Sequence, residues 1–351
     1  MGGAERSVLA LSRWLYEHGI PNHVVTYVDH VGLAKYAHHP LEVVELRPEM
    51  RVAKKVAAMR RYFASQREAP KPLMSGYQPA LHATLAGMRG FHCLMHDTPS
   101  LFEDAAKLNF KRRLARRVSD AVTGYGLRSG GHTIVTSEYL RAECRREFNV
   151  RGEIARMGGL TAANAFRPRP VANQLRMLSV SRIEPNKRID WMLRALEAME
   201  HDAPALSERV DWQLDVVGKG SAIEAMQQLA ANLGLAERVH FRGYVSDAEL
   251  ARLYEGTHLF LMPAVQGYGI PAIEALSRGI PVLLHAESGV SDILRRTPWA
   301  VVIDGKESAM LTGLRQIVDS TLAGAQLTAP LPDLPTEDDW ATRVAQRCNW
   351  I

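Results

Sequence analysis

The run Gln266-Gly267-Tyr268-Gly269-Ile270-Pro271-Ala272-Ile273-Glu274-Ala275-Leu276 sets a glycine-bracketed turn directly before an apolar, helix-forming stretch that carries one carboxylate. Pro271 suits the first helical position, where its missing N–H would be unbonded in any case, and Gly279-Ile280-Pro281 is expected to stop the helix three turns later. The amides around Gly269 are then expected to meet an anion or a sugar hydroxyl, drawn by unpaired N–H groups and the positive end of the helix dipole. Glu274, set back in the first turns, is placed to accept two hydrogen bonds from a vicinal diol such as a ribose. The structural alternative is a core-facing helix with a solvated glutamate.

The elements that must position these residues alternate from Arg176 onward. Apolar runs at Met177 to Ile183, Trp212 to Val217, Val239 to Phe241, Leu259 to Met262, Val282 to Leu284 and Ala300 to Ile303 are separated by helical stretches. Such alternation predicts a parallel sheet covered on both faces. The first half is less regular: a helix from Ala4 to His18 closed by Gly19, a strand from His23 to Val28, and apolar runs near Phe91 to Met95 and Thr133 to Thr136. The expected architecture is α/β, with two doubly wound domains over residues 1–170 and 171–335 joined at Arg167-Pro168-Arg169-Pro170. A terminal helix over 336–351 is expected to pack back on the first domain.

In open sheets of this kind ligands bind beyond the carboxyl ends of the strands. Arg182 with Lys187, Gly218-Lys219-Gly220, Gly243-Tyr244 and the segment Pro263 to Gly269 all fall at such ends. An isolated Gly-x-Gly, or a cation near a strand end, is more often a turn or a surface charge; the convergence on one rim carries the argument.

Composition sets the frame: 351 residues, 46% hydrophobic and 23% charged, as in a soluble globular protein of two domains. Three well-separated cysteines, Cys93, Cys144 and Cys348, argue against a disulfide framework or a zinc site. No apolar stretch reaches the length of a membrane span and no signal peptide is evident at Met1, so a cytoplasmic setting is expected. Residues 1–170 hold 26 Lys and Arg against 15 Asp and Glu, whereas 171–351 hold 17 against 23. Much of the basic excess lies in Arg51, Lys54, Lys55, Arg60 and Arg61, then in Lys107, Lys111, Arg112, Arg113, Arg116 and Arg117. In the second stretch Leu108, Phe110, Leu114 and Val118 recur at helical spacing, giving an amphipathic basic helix. A solvated helix face is the plain reading; an acidic membrane or a lipid-diphosphate acceptor comes next. Nucleic acid is not expected, because Phe110 is the one aromatic residue within these two stretches.

The second half resembles the family-4 retaining glycosyltransferases, enzymes of the GT-B fold, over roughly 120 residues. The likeness rests on Leu178-Ser179-Val180-Ser181-Arg182-Ile183-Glu184-Pro185-Asn186-Lys187, on Asp215-Val216-Val217-Gly218-Lys219-Gly220-Ser221, on His240-Phe241-Arg242-Gly243-Tyr244-Val245, and on residues 263–275, which correspond to the family's Glu-x7-Glu segment. The resemblance implies two Rossmann-like domains facing each other across a cleft and a nucleotide diphosphate sugar as donor, with no cofactor and no metal. It implies that Arg182 and Lys187 grip the diphosphate and that Glu274 holds the ribose. The backbone of Gly267, Tyr268, Gly269 and Ile270 would meet the sugar or phosphates, with Gly218 and Tyr244 near the base. In the first half Met95-His96-Asp97-Thr98-Pro99 is similar to the family's His segment, implying that His96 faces the reacting sugar.

Three departures stand out. The family's first Glu is Gln266, which keeps the hydrogen-bonding shape without the charge. Gly2-Gly3 resembles the glycine pair above the diphosphate, but the strand expected before it is absent from the sequence, which suggests a start upstream of Met1 or a rearranged sheet. Met157-Gly158-Gly159-Leu160 matches the family poorly and is assigned no role. The expected function is retaining transfer of a hexose to a hydroxyl acceptor, in glycan, polysaccharide or glycolipid synthesis, at the inner face of a membrane if the acceptor is lipid-linked. A non-catalytic nucleotide-sugar-binding protein of the same fold is the alternative. A dinucleotide-dependent oxidoreductase is disfavoured, because Gly218-Lys219-Gly220-Ser221-Ala222-Ile223 lacks the third glycine.

Overall fold

A computed structural model describes residues 3–29, 32–38, 41–43, 50–65, 71–101, 108–158, 166–295 and 297–351. The chain divides into two compact units, residues 1–158 with 335–351, and residues 159–334.

The first unit contains α1 (Gly3–Glu17), β1 (Val25–Thr26), β2 (Glu42–Val43), α2 (Val52–Ala64), β3 (Leu73–Ser75), α3 (Tyr77–Leu85), β4 (His92–Met95), α4 (Phe110–Leu127), β5 (Thr133–Val135), α5 (Glu138–Phe148) and β6 (Glu153–Ile154). Strands β3-β4-β5-β6 form a parallel sheet in that order, and β1 pairs with β2 in a small parallel sheet of its own. The predicted strand from His23 to Val28 shrinks to Val25–Thr26, half-exposed and, among the described residues, paired only with Glu42–Val43. The sheet core is Cys93, Met95, Val135, Leu140, Cys144 and Phe148, all buried. Burial pushes the Cys93 thiol up to about 12 and raises that of Cys144, so both behave as small apolar side chains.

The second unit runs β7 (Gln174–Val180), α6 (Ile189–Glu200), α7 (Leu206–Arg209), β8 (Asp211–Val217), α8 (Ile223–Asn232), β9 (Val239–Gly243), α9 (Asp247–Gly256), β10 (Leu259–Met262), α10 (Ile270–Leu276), β11 (Val282–His285), α11 (Ser291–Leu294), β12 (Ala300–Ile303) and α12 (Ser308–Leu322). Its sheet is wholly parallel in the order β12-β11-β10-β7-β8-β9. The chain therefore winds outward in one direction from β7, returns, and winds outward in the other from β10. Strands β10 and β11 are buried at every position, as continuous apolar runs between two helical layers require. β7 ends at Val180, earlier than the apolar run suggests: Ser181 N still bonds to Val217 O, but the chain then turns into a 3₁₀ segment at Pro185–Lys187. Arg182 consequently lies in the loop beyond the strand.

Arg167 to Pro170, where the sequence suggests a linker, lies in the second unit. Arg167 N donates to Arg278 O, and a β-carbon on Gly279 (φ 78) would sit 2.6 Å from Pro168 N. The terminal helix α13 (Glu337–Arg347) is capped by Thr336 and packs against α1, with Trp340 and Val344 buried and Arg13 Nη2 3.2 Å from Glu337 Oε2. Arg347 also reaches Glu153 of β6 at 3.0 Å.

Two buried histidines set an acid limit on the first unit. Desolvation, aided by Lys55, lowers the pKa of His82 from 6.5 to about 4; desolvation, with His132 and Lys71, does the same to His92. Because the unfolded chain takes up these protons first, the stability tied to the neutral rings is intact above pH 6.5 and is lost as the pH falls toward 4. Thermal unfolding followed from pH 7 to pH 5 should show a falling Tm, and His82→Gln should flatten that slope; an unchanged slope in the variant would show that His82 is not responsible.

Candidate functional site

The second unit's sheet reverses its winding between β7 and β10, and at such a point the loops leaving adjacent strands part to leave a crevice at their carboxyl ends. Here the two loops are stitched to each other. Val265 N donates to Asn186 O at 3.0 Å, Asn186 Nδ2 donates to Val265 O at 3.0 Å, and Lys187 Nζ donates to Gln266 Oε1 at 2.8 Å. The Gln266 carboxamide is oriented by its other end, whose Nε2 donates to Ser288 Oγ at 3.2 Å and to Met262 Sδ at 3.1 Å.

A third loop, the one after β11, closes on the second. Gln266 N donates to Glu287 O, Gly289 N to Gln266 O, Ser288 Oγ to Tyr268 O and Val290 N also to Tyr268 O. These contacts fix the turn that precedes α10. Gly269 sits at φ 130 with no room for a side chain, since a β-carbon there would lie 2.8 Å from both Gln266 Nε2 and Met262 Cε. The helix is short, Ile270–Leu276, with Pro271 as its second residue, and Gly279 (φ 78) closes it as the sequence suggests, Gly279 N donating to Leu276 O at 2.8 Å and Ile280 N to Ala275 O at 3.1 Å. Glu274 is 5% exposed, and its Oε2 accepts from the Tyr254 hydroxyl at 3.2 Å. Arg278 stacks its guanidinium 4.7 Å above the Tyr254 ring and donates to Glu274 O at 2.7 Å. The carboxylate is thus built into the unit rather than solvated.

On the other side of β7, Arg182 and the glycine loop form a second pair of loops. Ile183 N donates to Lys219 O and Ala222 N to Ile183 O, while Gly218 N donates to Gly243 O at the end of β9. The approach is so close that a β-carbon on Gly218 would lie 1.8 Å from Ser181 O, and one on Gly220 2.1 Å from Ile183 O. Ser221 donates both its amide and its hydroxyl to Glu184, which holds that carboxyl below its usual range, with Arg182 nearby adding to the effect. Tyr244, next along this rim, is 70% exposed.

Lys187, Gln266, Gly267, Tyr268, Gly269, Ile270 and Glu274 therefore gather at the β7–β10 boundary, and Arg182, Gly218 and Tyr244 follow along the same strand ends. The remaining predicted residues belong to the first unit. Gly2 lies outside the described residues, and Gly3 is the exposed first residue of α1. His96 follows β4 directly; its Nε2 is 2.9 Å from Ser75 Oγ, and desolvation lowers its pKa to about 4, which keeps the ring neutral at pH 7. Sequence reasoning missed Asn186, Glu287 and Ser288. Asn186 stands in the quoted Arg-to-Lys segment, but nothing in the sequence signals Ser288.

The basic helix forms as α4, capped by Asn109, yet its apolar stripe faces solvent: Phe110 is 78%, Leu114 53% and Val118 56% exposed. Leu108 is buried, Lys107 lies outside the described residues, and Arg116 is tied to Asp120 and Glu147 at 3.2 and 3.3 Å. Lys111, Arg112, Arg113 and Arg117 are exposed. Among the described residues no helix is long and apolar enough to cross a membrane, and no group of three or more His, Cys, Asp or Glu is placed to hold a metal ion.

Residues 163–321 match the family model described as glycosyl transferases group 1. A D-inositol 3-phosphate glycosyltransferase of Streptomyces coelicolor is 33% identical over 49% of this chain and 37% of its own length. A GDP-mannose-dependent alpha-(1-6)-phosphatidylinositol monomannoside mannosyltransferase of Mycobacterium tuberculosis is 27% identical over 65% of this chain and 60% of its own. The chain thus spans between about a third and three fifths of these relatives. A solved glycosyltransferase from Rickettsia africae superposes with a TM-score of 0.72 at 12% identity, covering 99% of this chain and 95% of that one. The fold is GT-B: two Rossmann-like α/β units with parallel sheets.

The glycine loops give a direct test of this geometry. Gly218→Ala sets a β-carbon against a backbone oxygen at φ 139, so it should destabilise the protein by about 2 kcal/mol or more. Gly243→Ala, at φ 66 with open space around it, should cost only about 1 kcal/mol. Urea denaturation would show the ranking, and equal losses would contradict the close approach of the loops.

Proposed function

We propose that this chain is a retaining glycosyltransferase that moves a hexose from a nucleotide diphosphate sugar to a hydroxyl acceptor. The observation that carries the reading is the Lys187–Gln266 contact at 2.8 Å across the reversal point of a Rossmann-ordered sheet, within the residues that match the family model. Breaking the sugar–phosphate bond leaves its electron pair, and negative charge, on the diphosphate. Cations held in place before that charge develops stabilise it most. Lys187, fixed by Gln266, and Arg182, five residues earlier in the same loop, are the residues we assign to it, without a metal. Glu274 is assigned to the ribose, the backbone of 267–270 to the sugar or phosphates, and Gly218 and Tyr244 to the base. Binding by Glu274 requires an oxygen beyond the one that meets Tyr254.

The neighbouring carboxylates are engaged: Glu184 by Ser221, Glu274 by Tyr254 and Glu287 by Arg188. A covalent glycosyl-enzyme lacks an obvious nucleophile among them. The reading therefore favours front-face substitution, in which the acceptor oxygen bonds to the anomeric carbon on the face the phosphate leaves, and the departing phosphate oxygen takes the acceptor's proton. In the first unit, neutral His96 is assigned to the sugar, as a hydrogen-bonding group that brings no charge. The relatives named for inositol and phosphatidylinositol substrates support a polar or lipid-linked acceptor. For a lipid acceptor the exposed stripe and cations of α4 suit an acidic membrane face.

A thermal-shift screen with uridine, guanosine, adenosine and thymidine diphosphates should reveal one stabilising base, since a ligand bound only by the folded state raises its Tm. With the corresponding sugar donor, Lys187→Ala should lower turnover on the order of 100-fold, equivalent to about 3 kcal/mol of transition-state stabilisation. Undiminished turnover overturns the assignment. Stabilisation without turnover in the wild type favours a nucleotide-sugar-binding protein, the reading to which the neutral Gln266 lends weight.

Phe110→Ser with Leu114→Ser should abolish co-sedimentation with vesicles containing phosphatidylglycerol. Retained binding by the double variant would remove α4 as the contact.

A further inference from the structure

We infer that Arg188 is a positioning residue for the donor site: by holding Glu287 it clamps the loop after β11 onto the Gln266 loop and so keeps Gln266 presented to Lys187. The inference rests on the proposed donor site for its functional meaning, but the clamp itself is a matter of geometry. Arg188 Nη2 donates to Glu287 Oε2 at 3.0 Å, and its guanidinium lies 4.2 Å above the Trp191 ring of α6. Glu287 in turn accepts the Gln266 amide through its own carbonyl oxygen, while Gly289 N returns a hydrogen bond to Gln266 O and Ser288 Oγ receives one from the Gln266 side chain. One ion pair therefore spans from the loop after β7 to the loop after β11 and traps the loop after β10 between them.

The backbone supplies an independent mark. Arg188 adopts φ 54, ψ 40, a left-handed conformation that disfavours a residue with a β-carbon and suits glycine. A residue kept there against that preference needs a compensating contact, and in this structure the contacts are Trp191 and Glu287. The left-handed turn comes directly after Lys187, so the same residue that reverses the chain anchors it. The guanidinium is mostly covered, with 17% of its side chain exposed, and Nη1 is buried with no hydrogen-bond partner among the described residues, which leaves Glu287 and the ring as its two fixed points there. His285, a titratable group beside Glu287 (3.5 Å), accepts Glu287 N at Nδ1 and bonds Gly305 O through Nε2; its pKa is lowered by desolvation and by Arg188, so the ring stays neutral and does not compete for the carboxylate.

The test separates the clamp from the donor reading. Arg188→Gly keeps the backbone conformation and removes the side chain; Glu287→Gln removes the charge at the other end. Hydrogen–deuterium exchange needs no ligand. Both variants should exchange the amides of Gln266, Gly289 and Val290 about tenfold faster than wild type, with β8 and β9 unchanged. The double variant should be no faster than Arg188→Gly alone, because without the guanidinium the charge at 287 has no clamp left to weaken. Unaltered exchange at those amides, or additive effects, overturns the clamp. Whichever of uridine diphosphate and guanosine diphosphate the wild type binds should then bind both variants about five- to tenfold more weakly. Faster exchange with unchanged nucleotide affinity overturns the positioning role while leaving the clamp, and a wild type that binds neither nucleotide counts against the donor site, not against the clamp.

Discussion

The second unit depends on what happens where its sheet changes direction. Two loops that leave β7 and β10 side by side have no strand between them to satisfy their backbone groups, and buried N–H and C=O groups left unpaired are costly. Asn186 and Val265 meet that demand reciprocally, with the side chain and backbone of one residue serving both polar groups of the other. Once that stitch is made, the next residue of each loop is brought into register. Lys187 meets Gln266 as a consequence of its neighbours' pairing, not as an isolated contact. The donor site in this reading is therefore an outgrowth of the sheet's own hydrogen-bonding need.

Gln266 gives the site its particular character. A carboxylate at this position would share charge with Lys187; a carboxamide offers the ammonium an acceptor and leaves the charge undivided. Its other end is used as well, through Ser288 and the sulfur of Met262, so the amide has one workable orientation. The residue that departs from the family pattern is thus among the most thoroughly bonded in the region, which argues for a settled role rather than a decayed one.

Much of the architecture was legible because continuous apolar runs have few uses in a chain of this size. Leu259 to Met262 and Ala300 to Ile303 coincide with strands, and the order of alternation gave the parallel sheet. The first half was harder to read: β1, β2 and β6 are two residues each, too short for any period to register. Helical spacing at Phe110, Leu114 and Val118 revealed a shared face, but periodicity says only that residues lie together, not which side of the helix faces the core. The site was legible where backbone chemistry is distinctive, as at Gly218 and Gly269, and opaque where the partner comes from a loop with no signature, as with Ser288 and Glu287. The anchoring of Arg167 to Pro170 against Gly279 also escaped the sequence, because the contact is made by a backbone amide and a positive-φ glycine more than a hundred residues away.

The helix α13 belongs to the first unit although the whole of residues 159–334 stands between it and α1 in the chain. On a ribosome the second unit emerges as one uninterrupted stretch and has all its strands before α13 appears. The first unit must wait, its α1 surface lacking Trp340 and Val344 until α13 follows. Nascent chains would accordingly hold a finished C-terminal unit beside an uncapped N-terminal one, and a chaperone that recognises exposed apolar helix would find its target on α1.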